Sequence, residues 1–515
     1  MRLIPSIVAR FLLPCALLIT SGCQKQEPAA DAPVPIAATL RVLAGSELKD
    51  MEPLVREFES KNNVKVHMTY TGTLDAVDSL LSSKSYDAIW LADDRYLRLQ
   101  PPVAAQLVQS HKIMYSTITL GVQKSLLTDL GWSEKVSWKQ ISSATQQGKL
   151  RLAMTSPVSS NTGFSALIGM TASLSGKADA FTAEEVPVEK LRELYRNVSV
   201  TASSSGTLVE KLIKNPTAAN AMINYDVLIS KVPGMVPVVI TDGVLTANYP
   251  LSLLAHSKNK QTYEKLVEFL TSTEGKQKIT ATTERRTQGP GSGPLSEAIE
   301  LPFPSSVATV NALLQAFLES VKQPTATIFV LDVSGSMKGE RLDNLQAALQ
   351  ALIRADEGVA SRFAAFHANE TIVVLPFSDV PQSETTFAIP EKPALKDQVL
   401  RQLEQTVVHL QANGNTAIYG SVLKAQEIAR SFVSKGVPAS IVLMTDGLNN
   451  RMESLEQALD ILKTNSTHNA PVYAIAYGEA NIQHLQAIAL ATNGAVYNAK
   501  NTSLRKVFTA IRTGQ

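Results

Sequence analysis

Apolar and polar positions divide the chain into two regular stretches separated by a break. In the second, Thr327–Asp332 (TIFVLD) is a short apolar run rich in β-branched residues and bounded by a Ser/Gly turn, the pattern of a strand buried on both faces. Leu342, Leu345, Leu349 and Leu352 then recur at helical spacing, so a helix follows the turn at once. The alternation predicts further strands over Arg362–His367, Thr371–Phe377, Ser440–Thr445, Val472–Tyr477 and Ala495–Tyr497. Helices are predicted over Lys396–Leu410, Ile418–Ser434, Leu455–Lys463, Ile482–Ala491 and Leu504–Arg512. The short turn between Phe366-His367 and Thr371 predicts an antiparallel edge hairpin on an otherwise parallel sheet.

The first stretch alternates in the same way. Thr39–Ala44, Val64–Tyr70 and Tyr86–Leu91 read as strands, with helices over Met51–Ser60 and Leu74–Ser82 between them. This order implies a mostly parallel, helix-covered α/β sheet. Ser116–Val122 would carry the chain into a second lobe, where Leu150–Met154 starts another strand. Thr287–Pro304 is dense in Gly, Pro and Ser and marks the exit from this body. A connecting helix is predicted over Ser305–Val321 from Val310, Leu313, Leu314, Phe317 and Val321, ending at Gln323-Pro324. The expected division is a body over 37–301, a connector over 302–324 and a second body over 325–515.

The first residues read differently. Arg2 and Arg10 flank the start of an apolar run, Phe11–Thr20, of signal-peptide length and too short to span a bilayer comfortably. Thr20-Ser21-Gly22-Cys23 resembles a bacterial lipoprotein box, with Thr20 where that pattern prefers Leu. The resemblance implies that residues 1–23 are a lipoprotein signal and that Cys23 carries lipid; a plain secretory signal cleaved nearby is the alternative. Residues 24–36, rich in Pro and Ala, read as a flexible tether. Cys15 and Cys23 are the only cysteines, so the folded bodies hold no disulfide and no thiolate metal site. A net charge of +2 over 515 residues points away from nucleic acid or another polyanion. No phosphate-binding loop, no G-x-S-x-G elbow and no H-E-x-x-H occurs, so nucleotide hydrolysis and standard hydrolytic chemistry find no support.

Three separated stretches carry oxygen ligands. Asp332, Ser334 and Ser336 form D-x-S-x-S after the first strand; Gly414–Ala417 lies in a polar loop before a helix; Thr445-Asp446-Gly447 ends another strand. In this order and spacing they resemble a von Willebrand factor A domain, over Thr325 to about Arg512. The resemblance implies a metal-ion-dependent adhesion site on Asp332, Ser334, Ser336, Thr416 and Asp446, with one open position filled by an Asp or Glu carboxylate of a partner protein. The residue chemistry independently suits a hard divalent cation, Mg²⁺ first, with Mn²⁺ or Ca²⁺ as alternatives. Only two of the five ligands are acids, so their charge does no more than balance the ion, which can still accept an incoming anion. His367 and His409 fall outside these motifs. Asn449-Asn450-Arg451 would lie on the rim of the site.

In the first body the landmarks are spread out. They are V-L-A-G-S at Val42–Ser46, Y-D-A-I-W-L-A-D from Tyr86, S-P-V-S-S-N-T-G-F at Ser156–Phe164, N-Y-D at Asn224–Asp226, Y-P-L at Tyr249–Leu251 and a closing helix from Tyr263. Together they resemble the periplasmic solute-binding proteins of bacterial uptake systems. That likeness implies two lobes closing over a cleft, where helix amino-termini present N–H groups to a small anion. The candidate ligand-binding residues are Ser46, Thr73, Ser160 and Tyr225, with Gly45, Thr71-Gly72, Ser159 and Asn161 beside them. Ser46, Thr73 and Ser160 equally suit helix capping, and Tyr225 equally suits packing. Asp93-Asp94 reads as structural, and Trp90, Trp132 and Trp138 as core or lobe-surface residues.

The functional expectation is a non-enzymatic protein of the cell envelope, lipid-anchored and either periplasmic or on the cell surface. Its second body would bind a divalent cation and engage a protein partner, while the first senses a small solute. The alternative is a receptor delivering a small anion to a membrane transport system, with the second body as docking module.

Overall fold

A computed structural model describes residues 38–177, 181–288, 298–355, 358–450, 454–465, 469–500 and 504–513. Cys23, the tether and Arg451 lie outside the described residues.

The chain begins a sheet with β1 (Thr39–Gly45), β2 (Lys65–Thr71), β3 (Ala88–Trp90) and β4 (Leu107–Lys112). It crosses into a second lobe with β5 (Ser116–Gln123), β6 (Lys135–Val136), β7 (Leu152–Thr155), β8 (Val198–Ala202), β9 (Ala221–Tyr225), β10 (Met235–Ile240) and β11 (Thr246–Ala247). Strand β12 (Pro250–Leu254) returns to the first lobe. The first sheet runs β2-β1-β3-β12-β4 and the second β6-β10-β5-β9-β7-β8, with β11 on β5. The pairs β1–β2 and β1–β3 are parallel. Trp90 and Trp138 are fully buried.

The helix Val307–Ala316 and a π-helical turn, Phe317–Val321, join the two bodies. This connector is tied to the second lobe. Arg192 Nε donates to Ser320 O at 2.7 Å, Gln323 Nε2 donates to Arg196 O at 2.7 Å, and the Tyr195 and Phe317 rings meet edge-on at 5.0 Å. The joint also borders an open cavity of about 400 Å³, lined by Tyr195, Lys211, Phe317, Lys322 and Arg512 among others.

The second body is a single sheet of β13 (Thr325–Asp332), β14 (Glu370–Phe377), β15 (Thr385–Ala388), β16 (Ala439–Thr445), β17 (Val472–Ala476) and β18 (Ala495–Asn498). Its order is β15-β14-β13-β16-β17-β18, parallel except for β15. Strand β13 alternates between two cores. Phe329 and Leu331 pack with the helices Glu340–Arg354 and Leu504–Thr513, while Ile328 and Val330 pack with Ile418–Val433 on the opposite face. Burial on both faces explains why β13 reads as an unbroken apolar run. Because β14 and β16 flank β13 on opposite sides, the connections reverse there, and the strand ends open a crevice for a ligand.

One predicted strand is a helix. Val359–Ala364 is helical, so Arg362–His367 forms no strand, and the antiparallel edge comes from β15 instead. Ala360, Phe363 and Ala364 are buried at helical spacing. The helix starts where Asp78 of the first body accepts hydrogen bonds from Val359 N and Ala360 N. A short apolar run is ambiguous between strand and helix, and here a contact from the other body decides.

Candidate functional site

At the crevice, β13 ends in Asp332, whose carboxylate is fully buried. Its Oδ1 accepts from Ser334 N at 2.9 Å and its Oδ2 from Thr445 Oγ1 at 2.6 Å, which locks the acid to the end of β16. Burial raises its pKa above the usual aspartate value, and the nearby Asp446 charge adds to the shift. Ser334 and Ser336 hydroxyl oxygens lie 3.1 Å apart, and Ser336 Oγ donates to Asp446 Oδ1 at 2.7 Å. Ser336 is exposed whereas Ser334 and Asp446 are buried, so the cluster opens to solvent on the Ser336 side.

Thr416 enters from the third loop. Gly335 N donates to Gly414 O at 2.9 Å, drawing that loop onto the D-x-S-x-S turn. Gly414 has φ of +81°, a conformation that favours glycine, and a Cβ there would press on the Asp379 carboxylate. Thr416 N donates to Asn450 Oδ1 at 2.7 Å, while Asn450 N donates back to Thr416 O at 3.1 Å. Ile418 N donates to Asn449 Oδ1 at 2.8 Å. Asn449 and Asn450, expected on the rim, therefore hold the Thr416 loop in place. A Cβ at Gly447 would lie 3.5 Å from Thr416 Oγ1 and 3.7 Å from Ser336 Oγ, so this glycine keeps the space between the two hydroxyls clear.

The donor set of two carboxylates and three hydroxyls fits a hard divalent cation, for which Ser334, Ser336, Thr416, Asp332 and Asp446 are the residues at hand. Among the described residues no group of three or more His, Cys, Asp or Glu could hold a metal, so an ion here would draw on the hydroxyls as well. Arg341, which sequence reasoning passed over, pairs with Asp446 Oδ2. His367 is buried and bonds Glu319 through Nδ1 at 2.8 Å, while His409 is exposed; neither belongs to the cluster.

The first body brings its candidates together only in part. Ser46 and Thr73 are first helical residues rather than N-caps; the caps are Gly45 and Gly72. Ser160 is the N-cap of the helix Asn161–Ser175, yet its side chain makes no capping bond. Tyr225 is buried, and its hydroxyl accepts from Asn161 Nδ2 at 2.9 Å. The lobes touch at Gly72, where a Cβ would lie 2.8 Å from Ser159 O.

Four residues beside these were not among the candidates. The Tyr225 and Tyr249 rings lie 6.2 Å apart, and Arg285 stacks 4.8 Å over Tyr249 while both its bonds to the Asp50 carboxylate measure 2.8 Å. Glu47 follows Ser46 directly, and burial raises its pKa. That adjacency in V-L-A-G-S-E was a visible signal of an acid at the strand end. Tyr249 has φ of +39°, a strained value that no sequence pattern announces. Asp93 and Asp94 pair with Arg95 and Arg98.

Residues 40–282 match the family model of the bacterial extracellular solute-binding protein, and residues 327–510 match the von Willebrand factor type A domain. The chain is a solute-binding-protein-like body followed by an A domain. No curated protein sequence matches it. Among solved structures it is similar to the fructose-6-phosphate-bound periplasmic binding protein AfuA from Actinobacillus pleuropneumoniae, at 15% identity and a TM-score of 0.45, covering 55% of this chain and 99% of that one. Iron-bound HitA from Pseudomonas aeruginosa is similar at 14% identity and a TM-score of 0.43, covering 54% and 98%. A periplasmic thiamin-binding protein is similar at 14% identity and a TM-score of 0.43, covering 54% and 96%. The solute-binding body and the A domain agree with an extracytoplasmic location, and no described helix is long and apolar enough to cross a membrane.

Proposed function

We propose that the chain is a binding protein of the cell envelope, anchored through lipid on Cys23, whose A domain holds one divalent cation and grips a partner protein's Asp or Glu carboxylate through it. Mg²⁺ is the first candidate because it keeps water-filled positions that an incoming carboxylate can take. The observation that carries the reading is the cluster itself: Asp332, Ser334, Ser336 and Asp446 linked by hydrogen bonds of 2.7–3.1 Å, with the Thr416 loop docked onto them. Two carboxylates balance the ion's two charges, and the neutral hydroxyls leave it coordination positions that a partner's carboxylate can take. In this reading the role is binding rather than catalysis, the ion's open position being taken by the partner's carboxylate.

Between the lobes of the first body, Ser46, Glu47, Asn161 and Tyr225 would meet a small polar solute. Glu47 sets a condition on that solute: an anion must meet the acid in its protonated form, which its raised pKa favours.

Calorimetric titration of the full-length chain with Mg²⁺ and Mn²⁺ tests the A-domain reading. One ion should bind per chain and be lost in Asp332→Ala. Capture of a partner from envelope extract should then require Mg²⁺ and fail in chelator and in Asp446→Ala. Undiminished ion uptake by Asp332→Ala would sink the assignment.

A further inference from the structure

Arg341 occupies a place that helix electrostatics disfavour. It is the second residue of the helix Glu340–Arg354, whose amino-terminus attracts acids, and Glu340 and Asp343 follow that rule in the same turn. The guanidinium turns instead to the ion cluster, where it pairs with Asp446 Oδ2 and donates to Ser336 O at 3.4 Å. Its seat is shaped for it. Gly478, at φ +61°, borders the guanidinium, and a Cβ there would lie 3.3 Å from Arg341 Cζ.

Exposure separates the two partners. The Asp446 side chain is 0% exposed and that of Arg341 is 37% exposed, so the acid is fixed while the guanidinium has a path to solvent. We propose that Arg341 is a resident counter-cation, competing with the divalent ion for Asp446 and setting how tightly the ion is held. This rests on the ion-binding reading above. With Arg341 seated, Asp446 is not left as a buried charge without a partner, and the apo domain stays intact. When an ion enters, three positive charges face two carboxylates, and the one on a flexible, half-exposed stem is the one that yields. Arg341 then stands at the rim, adding positive charge beside the position of an incoming carboxylate.

Mn²⁺ titration of the full-length chain tests this by calorimetry and by the paramagnetic signal of free Mn²⁺, using the native chain, Arg341→Gln and Arg341→Lys. Removing a unit charge beside a divalent ion should tighten binding about tenfold or more in Arg341→Gln. Arg341→Lys, which keeps the charge, should stay close to the native affinity. Without metal, Arg341→Gln should melt lower than the native chain and recover on adding Mn²⁺. If the native chain binds Mn²⁺ and Arg341→Gln binds it equally or more weakly, the counter-cation role is overturned while the ion site stands. If neither chain takes up Mn²⁺, both readings fall.

Discussion

The Asp78 carboxylate of the first body caps the helix that begins at Val359 of the A domain, accepting Val359 N–H at 2.7 Å and Ala360 N–H at 2.9 Å. Helix amino-termini leave N–H groups without intrahelical partners, and here another body supplies the acceptor. Gly358, at φ +103°, brings the backbone close: a Cβ there would lie 2.6 Å from Asp78 Oδ2. Asp78→Ala should cost about 1 kcal/mol, the usual worth of a cap, measured by urea denaturation. An unchanged midpoint would show that the joint does not depend on this cap.

Asp75 lies on the same helix, Thr73–Ser82, and burial pushes its pKa up to about 6, with the Asp78 charge adding and Lys506 opposing. The folded value exceeds the unfolded one of about 3.9, so this group's stabilisation is present below about pH 4 and lost as pH rises through about 6. Asp75→Asn should therefore melt higher than the native chain at pH 7.5, and the gain should vanish near pH 4. Melting curves across that range check the sign.

Glu319 shows the opposite shift. Burial raises its pKa, but bonds from His367, Lys396 and Ala368 N outweigh burial and hold it at about 2. A depressed value stabilises above the unfolded pKa of about 4.3, and the benefit is lost as pH falls towards 2. Glu319→Gln should cost about 2 kcal/mol near neutrality, the scale of hydrogen bonds to a charged group, and progressively less below pH 4. A pH-independent difference between the two chains would contradict the assignment.

Gly72 meets the opposite lobe at Ser159 O, with its own φ of −83° open to any residue. The obstacle to a side chain there is the other lobe alone. Gly72→Ala should hold the lobes apart, and small-angle scattering should report a larger radius of gyration with little loss of melting temperature. Identical scattering profiles would mean that Ser159 yields locally instead.

An ion that binds only the folded A domain must raise its stability by mass action. Mg²⁺ at one hundred times its dissociation constant should add about 2.7 kcal/mol to unfolding, and chelator should remove it. Asp332→Ala should show no such gain.

Strand and helix periods made most elements legible, because β13 and β16 are buried on both faces and their helices carry apolar stripes. The oxygen side chains of Asp332 and Asp446 fall just where β13 and β16 end, which the strand periods place without tertiary information. The Val359–Ala364 helix was not legible, since Phe363-Ala364-Ala365-Phe366 is a short apolar run that suits either element until Asp78 supplies the cap. Arg341 was hidden because its partner Asp446 lies 105 positions away along the chain.

By itself, the sequence determined the α/β class and the two bodies, consequences of local period and spacing. Tertiary structure alone decided which groups meet: Asn450 with Thr416, Glu47 near Tyr225, Arg341 on Asp446, and Asp78 beneath Val359. Those pairings depend on distances across sheets, lobes and bodies, which local spacing along the chain does not encode.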